Sequence, residues 1–244
     1  MTNYRVDTLE LGTFTTESGE TINNLKLRYE HVGYKGQPLV VVCHALTGNH
    51  LTYGTDEKHG WWREIIDGGY IPRHDYQFLT FNVIGSPFGS SSKLNDPNFP
   101  QHLTLRDIVK AIEKGIKALD FDKINILIGA SLGGMQAMEL LYNNQFQIDK
   151  AIILAATGKT SSYSRAFNEI ARQAIHLGGK EGLSIARQLG FLTYRSSKSY
   201  DQRFTPDEVV TYQQYQGNKF KKNFDLQCYL TLLDVLDLSL IHIS

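Results

Sequence analysis

The sequence predicts a mixed α/β fold, with a mostly parallel sheet carrying helices on both faces. Three observations carry this reading. Continuous apolar, β-branched runs recur through the first 158 residues, as in strands buried on both faces. Stretches with helical apolar spacing separate the later runs. The order strand, helix, strand, helix, strand is that of a doubly wound sheet.

Residues 4–34 alternate apolar and polar, with turn residues at "ESGE", and predict two antiparallel strands at a sheet edge. "PLVVVCHAL" (38–46) and "YQFLTFNVIG" (76–85) predict buried strands. Residues 103–121 place Leu105, Ile108, Val109, Ile112 and Ile116 on one helical face. Thr104 is suited to cap that helix, with Asp107 three residues on. "KINILIGAS" predicts the next strand and "LGGMQAMELLYNN" the next helix, with Met135, Met138, Leu141 and Tyr142 expected on one face. "KAIILAATG" (150–158) predicts a further strand. Beyond it the β-branched runs stop and helical patterns take over to Asp237, as in a helical cap. The expected division is a core over 1–158, a cap over 159–237 and a tail over 238–244.

Lys plus Arg total 25 and Asp plus Glu total 25, so no net charge favours nucleic acid or an anionic membrane. With only Cys43 and Cys228, a disulfide framework is not indicated. The start lacks a signal-peptide pattern, and no apolar run reaches the roughly 20 residues of a membrane span. A soluble, cytoplasmic protein is expected.

Gly129-Ala130-Ser131-Leu132-Gly133 fits G-x-S-x-G, a weak pattern alone. Here it follows a predicted buried strand and opens a predicted helix, as a nucleophile elbow requires. Small flanking residues permit the sharp turn, which would present Ser131 Oγ above the sheet. The alternative is an ordinary tight strand-to-helix turn. The Leu132 N–H would lie at a helix start, free to bind a developing oxyanion. A second donor is expected from the loop "CHALTGNH": the N–H of Leu46, with Thr47 lining the pocket. His44 in the same loop is assigned a structural role. "TGKTSS" is similar to a phosphate loop, but Ile153 stands where that motif needs glycine. No dinucleotide fingerprint or metal-ligand spacing is present, so neither a metal nor a bound cofactor is expected. Trp61 and Trp62 are expected on the sheet or at the pocket rim.

"CHALTGNH", "GWWREII", "FNVIGSPFGSSS", "FPQHLTLRDIVKA", "GASLGGMQAMEL", "TYRSSKSYDQRF" and "YQGNKFKKNFDLQCYLTLLDVLD" occur in this order. Together, from about residue 5 to Asp237, they closely resemble homoserine O-acetyltransferases, enzymes of the α/β-hydrolase fold. The tryptophan pair, the residues after the serine and "YRS" are the more specific parts. The resemblance implies that Ser131 takes an acetyl group from the co-substrate acetyl-CoA and passes it to the side-chain hydroxyl of L-homoserine, a step of methionine biosynthesis. It implies covalent catalysis, with Arg195 of "TYRS" binding the substrate and a homodimer formed through the cap. The loop "NVIGSPFGSSS" departs somewhat from the family's glycine-serine loop.

A second departure concerns the base. In this fold the acid and histidine follow the serine along the chain. Only His176 and His242 follow Ser131, one inside a cap helix pattern and one five residues after Asp237. Neither suits the role, and "LSLIHIS" does not continue the family pattern. The sequence therefore predicts a chain cut short of its last core strands, with an unpaired sheet edge. The rivals kept open are a succinyl donor or serine acceptor on the same fold, a plain esterase, and a non-catalytic scaffold.

Overall fold

The computed structural model describes residues 3–238. In chain order the elements are β1 (Tyr4–Glu10), β2 (Phe14–Thr15), β3 (Thr21–Ile22), β4 (Lys26–Val32), β5 (Leu39–Cys43), α1 (Arg63–Asp67), β6 (Gln77–Phe81), α2 (Leu105–Ala118), β7 (Lys123–Ala130), α3 (Leu132–Asn143), β8 (Gln147–Leu154), α4 (Ser162–Thr193), α5 (Ser197–Arg203), α6 (Pro206–Asn223) and α7 (Leu226–Leu238). Strands order β1-β4-β6-β5-β7-β8 in one sheet. The first two pairings are antiparallel and the remaining three parallel. The mostly parallel sheet is as expected.

The two expected edge strands are β1 and β4, paired from Tyr4 with Val32 to Glu10 with Lys26. "ESGE", however, closes a separate two-stranded hairpin, β2–β3. A seven-residue pair leaves a long connection, and Phe14 and Ile22 turn inward there as a small ribbon of their own.

The parallel strands explain their own composition. Leu39, Val41 and Cys43 of β5 enter the core on one face, and Val40 and Val42 the core on the other. A strand covered on both sides has no position for a polar residue, so alternation disappears. The larger core lies between the sheet and α2, α3 and α7, the smaller beneath α1 and the loop before it. Trp62 packs on the smaller core and Trp61 stands 40% exposed beside it, ring centroids 5.0 Å apart. That loop is held by Glu30 of β4, whose buried carboxylate accepts from the N–H groups of Thr52, Tyr53 and Gly54 at 2.7–2.8 Å. Three backbone donors satisfy a carboxylate that could not otherwise be buried.

Helix α2 begins at a capping box: Thr104 Oγ1 accepts from the Asp107 N–H, and Asp107 accepts from the Thr104 N–H. Helix α3 presents a different face from the expected one. Met135 is buried, but Leu141 and Tyr142 are 38% and 56% exposed. The helix instead lays Gly133, Gln136 and Leu140 inward, because its first turn runs against β5. Helix α4 bends at Gly179, and α4 and α6 pack tightly where Gly217 meets Ser184. Among the described residues no helix is long and apolar enough to cross a membrane.

Candidate active site

Ser131 joins β7 to α3 with φ 55° and ψ −125°, a conformation that L-residues occupy only under strain. The sequence enforces the turn by what it leaves out. A Cβ on Gly129 would lie 2.0 Å from the Gly133 carbonyl oxygen, and one on Gly133 would lie 2.1 Å from the Cys43 carbonyl oxygen. Only glycines let α3 descend this closely onto the sheet. The Ser131 N–H donates to the Leu154 carbonyl at 3.0 Å, and the Met135 N–H to the Ser131 carbonyl at 3.1 Å. The backbone is thus fixed on both sides while the side chain stands exposed.

Ser131 lines a cavity of about 520 Å³. Leu46, Thr47 and Arg195 line the same cavity, with Met135, Tyr163, Phe167, Tyr194 and Tyr229 completing a wall rich in aromatic rings. Leu132 is the first residue of α3, so its N–H has no acceptor within the helix. Among the described residues, no group accepts from the N–H of Leu46. Every residue picked from the sequence for nucleophile, oxyanion donors or acceptor binding therefore lies at or beside one cavity.

His44 lies beneath this loop and is fully buried. Its Nδ1–H donates to the Ala45 carbonyl at 2.7 Å, and its Nε2 accepts from the Val83 N–H at 3.1 Å. That pair of bonds requires the neutral ring, and burial pulls its pKa down to about 4. The Gln136 amide donates to the His44 carbonyl at 3.2 Å, tying α3 to the same turn. His44 is a bracket of the loop that carries Leu46 and Thr47.

Two guanidinium groups stand near the cavity with no acidic partner among the described residues. Arg195 makes neither hydrogen bond nor ion pair there. Arg187, which the sequence reading missed, donates to Thr47 Oγ1 at 3.3 Å. Its only sequence signal is the aromatic one turn on, Phe191, too common a spacing to single it out. Arg172 differs: Glu169, Asp234 and Asp237 all engage it at 2.6–2.9 Å. Asp237, also bonded by Asn168 at 2.7 Å, is committed to that cluster.

Of the histidines downstream of the serine, the structure describes one. His176 is exposed on α4 and does not line the cavity, and His242 lies outside the described residues, as does nearly all of the expected 238–244 tail. The serine-rich loop after β6 turns away from it. There the hydroxyls of Ser90 and Ser91 accept from the backbone of β4 at Arg28 and Lys26. Cys43 and Cys228 are buried free thiols, each pushed up to about 12 by burial. No group of three metal-ligating side chains occurs among the described residues.

Residues 38–177 match the family described as the alpha/beta hydrolase fold. A crystal structure of homoserine O-acetyltransferase from Staphylococcus aureus superposes with TM-score 0.94 at 85% identity, over 96% of this chain and 72% of that one. The chain belongs to the homoserine O-acetyltransferase family. A homoserine O-acetyltransferase of Carboxydothermus hydrogenoformans is 30% identical over 92% of this chain and 71% of its own length. A homoserine O-succinyltransferase of Hahella chejuensis is 32% identical over 91% of this chain and 70% of its own. Esterase E22 shares the fold at 19% identity with TM-score 0.76. The strained turn at Ser131, the loop after β5 and Arg195 thus border one cavity on an α/β-hydrolase sheet.

Proposed function

We propose that this chain carries the acyl-transfer site for moving an acetyl group from acetyl-CoA to the hydroxyl of L-homoserine. The observation that carries the reading is Ser131, strained and exposed on a cavity shared with Leu46, Thr47 and Arg195. Ser131 Oγ attacks the thioester carbonyl, the C–S bond breaks, and the serine proton leaves with the CoA thiol. The N–H groups of Leu46 and Leu132 stabilise the oxyanion. The homoserine hydroxyl then attacks the acetyl-serine ester, and its proton returns to Ser131 as O-acetylhomoserine departs. Arg195 binds the acceptor carboxylate through a charge-assisted fork. The division into a core over 1–158 and a cap over 159–237 belongs to this reading, since the cap brings Arg195 over the nucleophile. So do a cytoplasmic place in methionine biosynthesis and a homodimer through the cap, where Tyr163, Ile170 and Leu177 leave an exposed apolar stripe at seven-residue spacing on α4. The Hahella relative's name favours succinyl-CoA as the second donor to test.

Among the described residues no histidine lines the cavity, so the reading assigns these residues a nucleophile and oxyanion hole but no base. Turnover at the residual level left by the hole and binding alone is expected. The test measures thiol release by the purified 244-residue protein. Slow release that depends on L-homoserine and disappears in Ser131→Ala supports the proposal. Release at ordinary enzyme rates would keep the transfer but refute the missing base. Acceptor-independent hydrolysis of p-nitrophenyl esters would replace the transferase by an esterase.

A further inference from the structure

Arg187 lies on α4 with its guanidinium 4.5 Å from the Phe191 ring centroid and 4.9 Å from that of Phe220. Stacking on two rings holds the planar group still while leaving its N–H edge open. Its one hydrogen bond among the described residues runs to Thr47 Oγ1, and no carboxylate among them pairs with it. Its field reaches the cavity wall, where it favours the ionised form of the Tyr229 phenol against the opposing effects of burial and of Tyr194. A half-buried cation fixed this way and left unpaired is costly unless an anion is bound nearby.

The contact also decides what Thr47 can do. A hydroxyl has one proton and two lone pairs. Arg187 occupies a lone pair, and its charge repels the hydroxyl proton to the opposite side. Thr47 lines the cavity next to Leu46, so the proton turns toward the bound ligand. We propose that Arg187 is a positioning residue that makes Thr47 a polarised hydrogen-bond donor to the carboxylate of the amino-acid acceptor. This rests on the acceptor named above and adds a second contact to that of Arg195. It also ties α4 to the oxyanion loop, so that seating the carboxylate steadies the loop bearing the Leu46 N–H.

The test is calorimetric binding of L-homoserine to the 244-residue protein, which needs no catalytic base. The control ligand is 2-amino-1,4-butanediol, the same molecule with its carboxylate reduced to an alcohol. Thr47→Val and Arg187→Gln should each weaken L-homoserine binding by about tenfold, the scale of one charged hydrogen bond. The double variant should be no weaker than either alone, because both break one chain of contacts. Arg187→Lys should recover most of the loss, and the diol should bind all variants alike. Equal L-homoserine binding by wild type and Arg187→Gln, or losses that add in the double variant, would overturn the inference while leaving the acceptor intact. No L-homoserine binding by wild type would instead overturn the acceptor, and the inference with it. Thermal unfolding checks that the variants fold. If Arg187→Gln does not, the near-isosteric Thr47→Val and the Arg187→Lys variant decide.

Discussion

Ser131 keeps a backbone conformation that glycine would adopt freely. Such strain costs about 1–3 kcal/mol, against roughly 1 kcal/mol of extra chain entropy for a glycine. Ser131→Gly should therefore raise the unfolding temperature, by about 2–4 °C for each kcal/mol released, while ending any labelling by a fluorophosphonate probe. Ser131→Ala should end labelling with no such rise, because its Cβ keeps the strain. A glycine variant less stable than the alanine one would show that the turn is not strained. At this scale the sequence was a good guide to the strained turn at Ser131, because the glycines around it have a steric cause that leaves a pattern. It was silent on Arg187, whose partner Thr47 lies 140 residues away. Only the packing of α4 over the β5 loop brings that pair together.

The loop after β5 illustrates what an element needs in order to present one N–H. His44 ties it to the β6 end through Val83, and Gln136 ties it to α3. The arrangement holds only with a neutral imidazole. The ring's pKa falls from 6.5 to about 4 on folding, as does that of His50 nearby, in both cases chiefly through burial. The unfolded chain therefore takes up protons that the folded chain refuses. The stability these two rings contribute is full above pH 6.5 and drains away as pH falls toward 4. Unfolding temperature should drop across that window, and His44→Gln should flatten the slope while lowering stability at neutral pH. A slope unchanged in His44→Gln would mean other groups set it. The sequence marked His44 as structural from its place at a strand end, before the serine. It missed the inward face of α3, because helical spacing alone cannot tell which stripe meets a sheet when the first turn lies against a neighbouring strand. The capping box of α2 was legible, since Thr104 and Asp107 make their bonds within a single turn.

The whole molecule has two kinds of apolar surface. Strand β8 is the last strand of the sheet among the described residues, yet it carries the composition of an interior strand: Ile152, Ile153 and Leu154 are 39%, 36% and 47% exposed. Unpaired among the described residues, apolar over its last three residues and free of bulges, such an edge invites strand addition. The protein should form concentration-dependent, polydisperse species on light scattering, and Ile152→Lys should suppress them. The cap stripe predicts something different, a closed dimer, which Leu177→Lys should break and Ile152→Lys should not. Species of any size that ignore Ile152→Lys would refute the edge assignment. Here the sequence spoke clearly about the sheet, because buried parallel strands lose all alternation. It marked the helices beyond residue 158 but not how they pack, since α4 and α6 meet through small residues rather than through a repeated apolar pattern.

The sheet edge and Ser131 are directly joined. The Ser131 amide makes its bond to Leu154, the last residue of β8, and is therefore the final rung of that ladder. Each time the end of β8 frays, the elbow loses one of the two bonds that set its angle. Fraying of the edge and disorder of the nucleophile are then a single opening equilibrium. Whatever closes the edge slows that breathing, and the serine is held in its reactive posture for a larger fraction of the time.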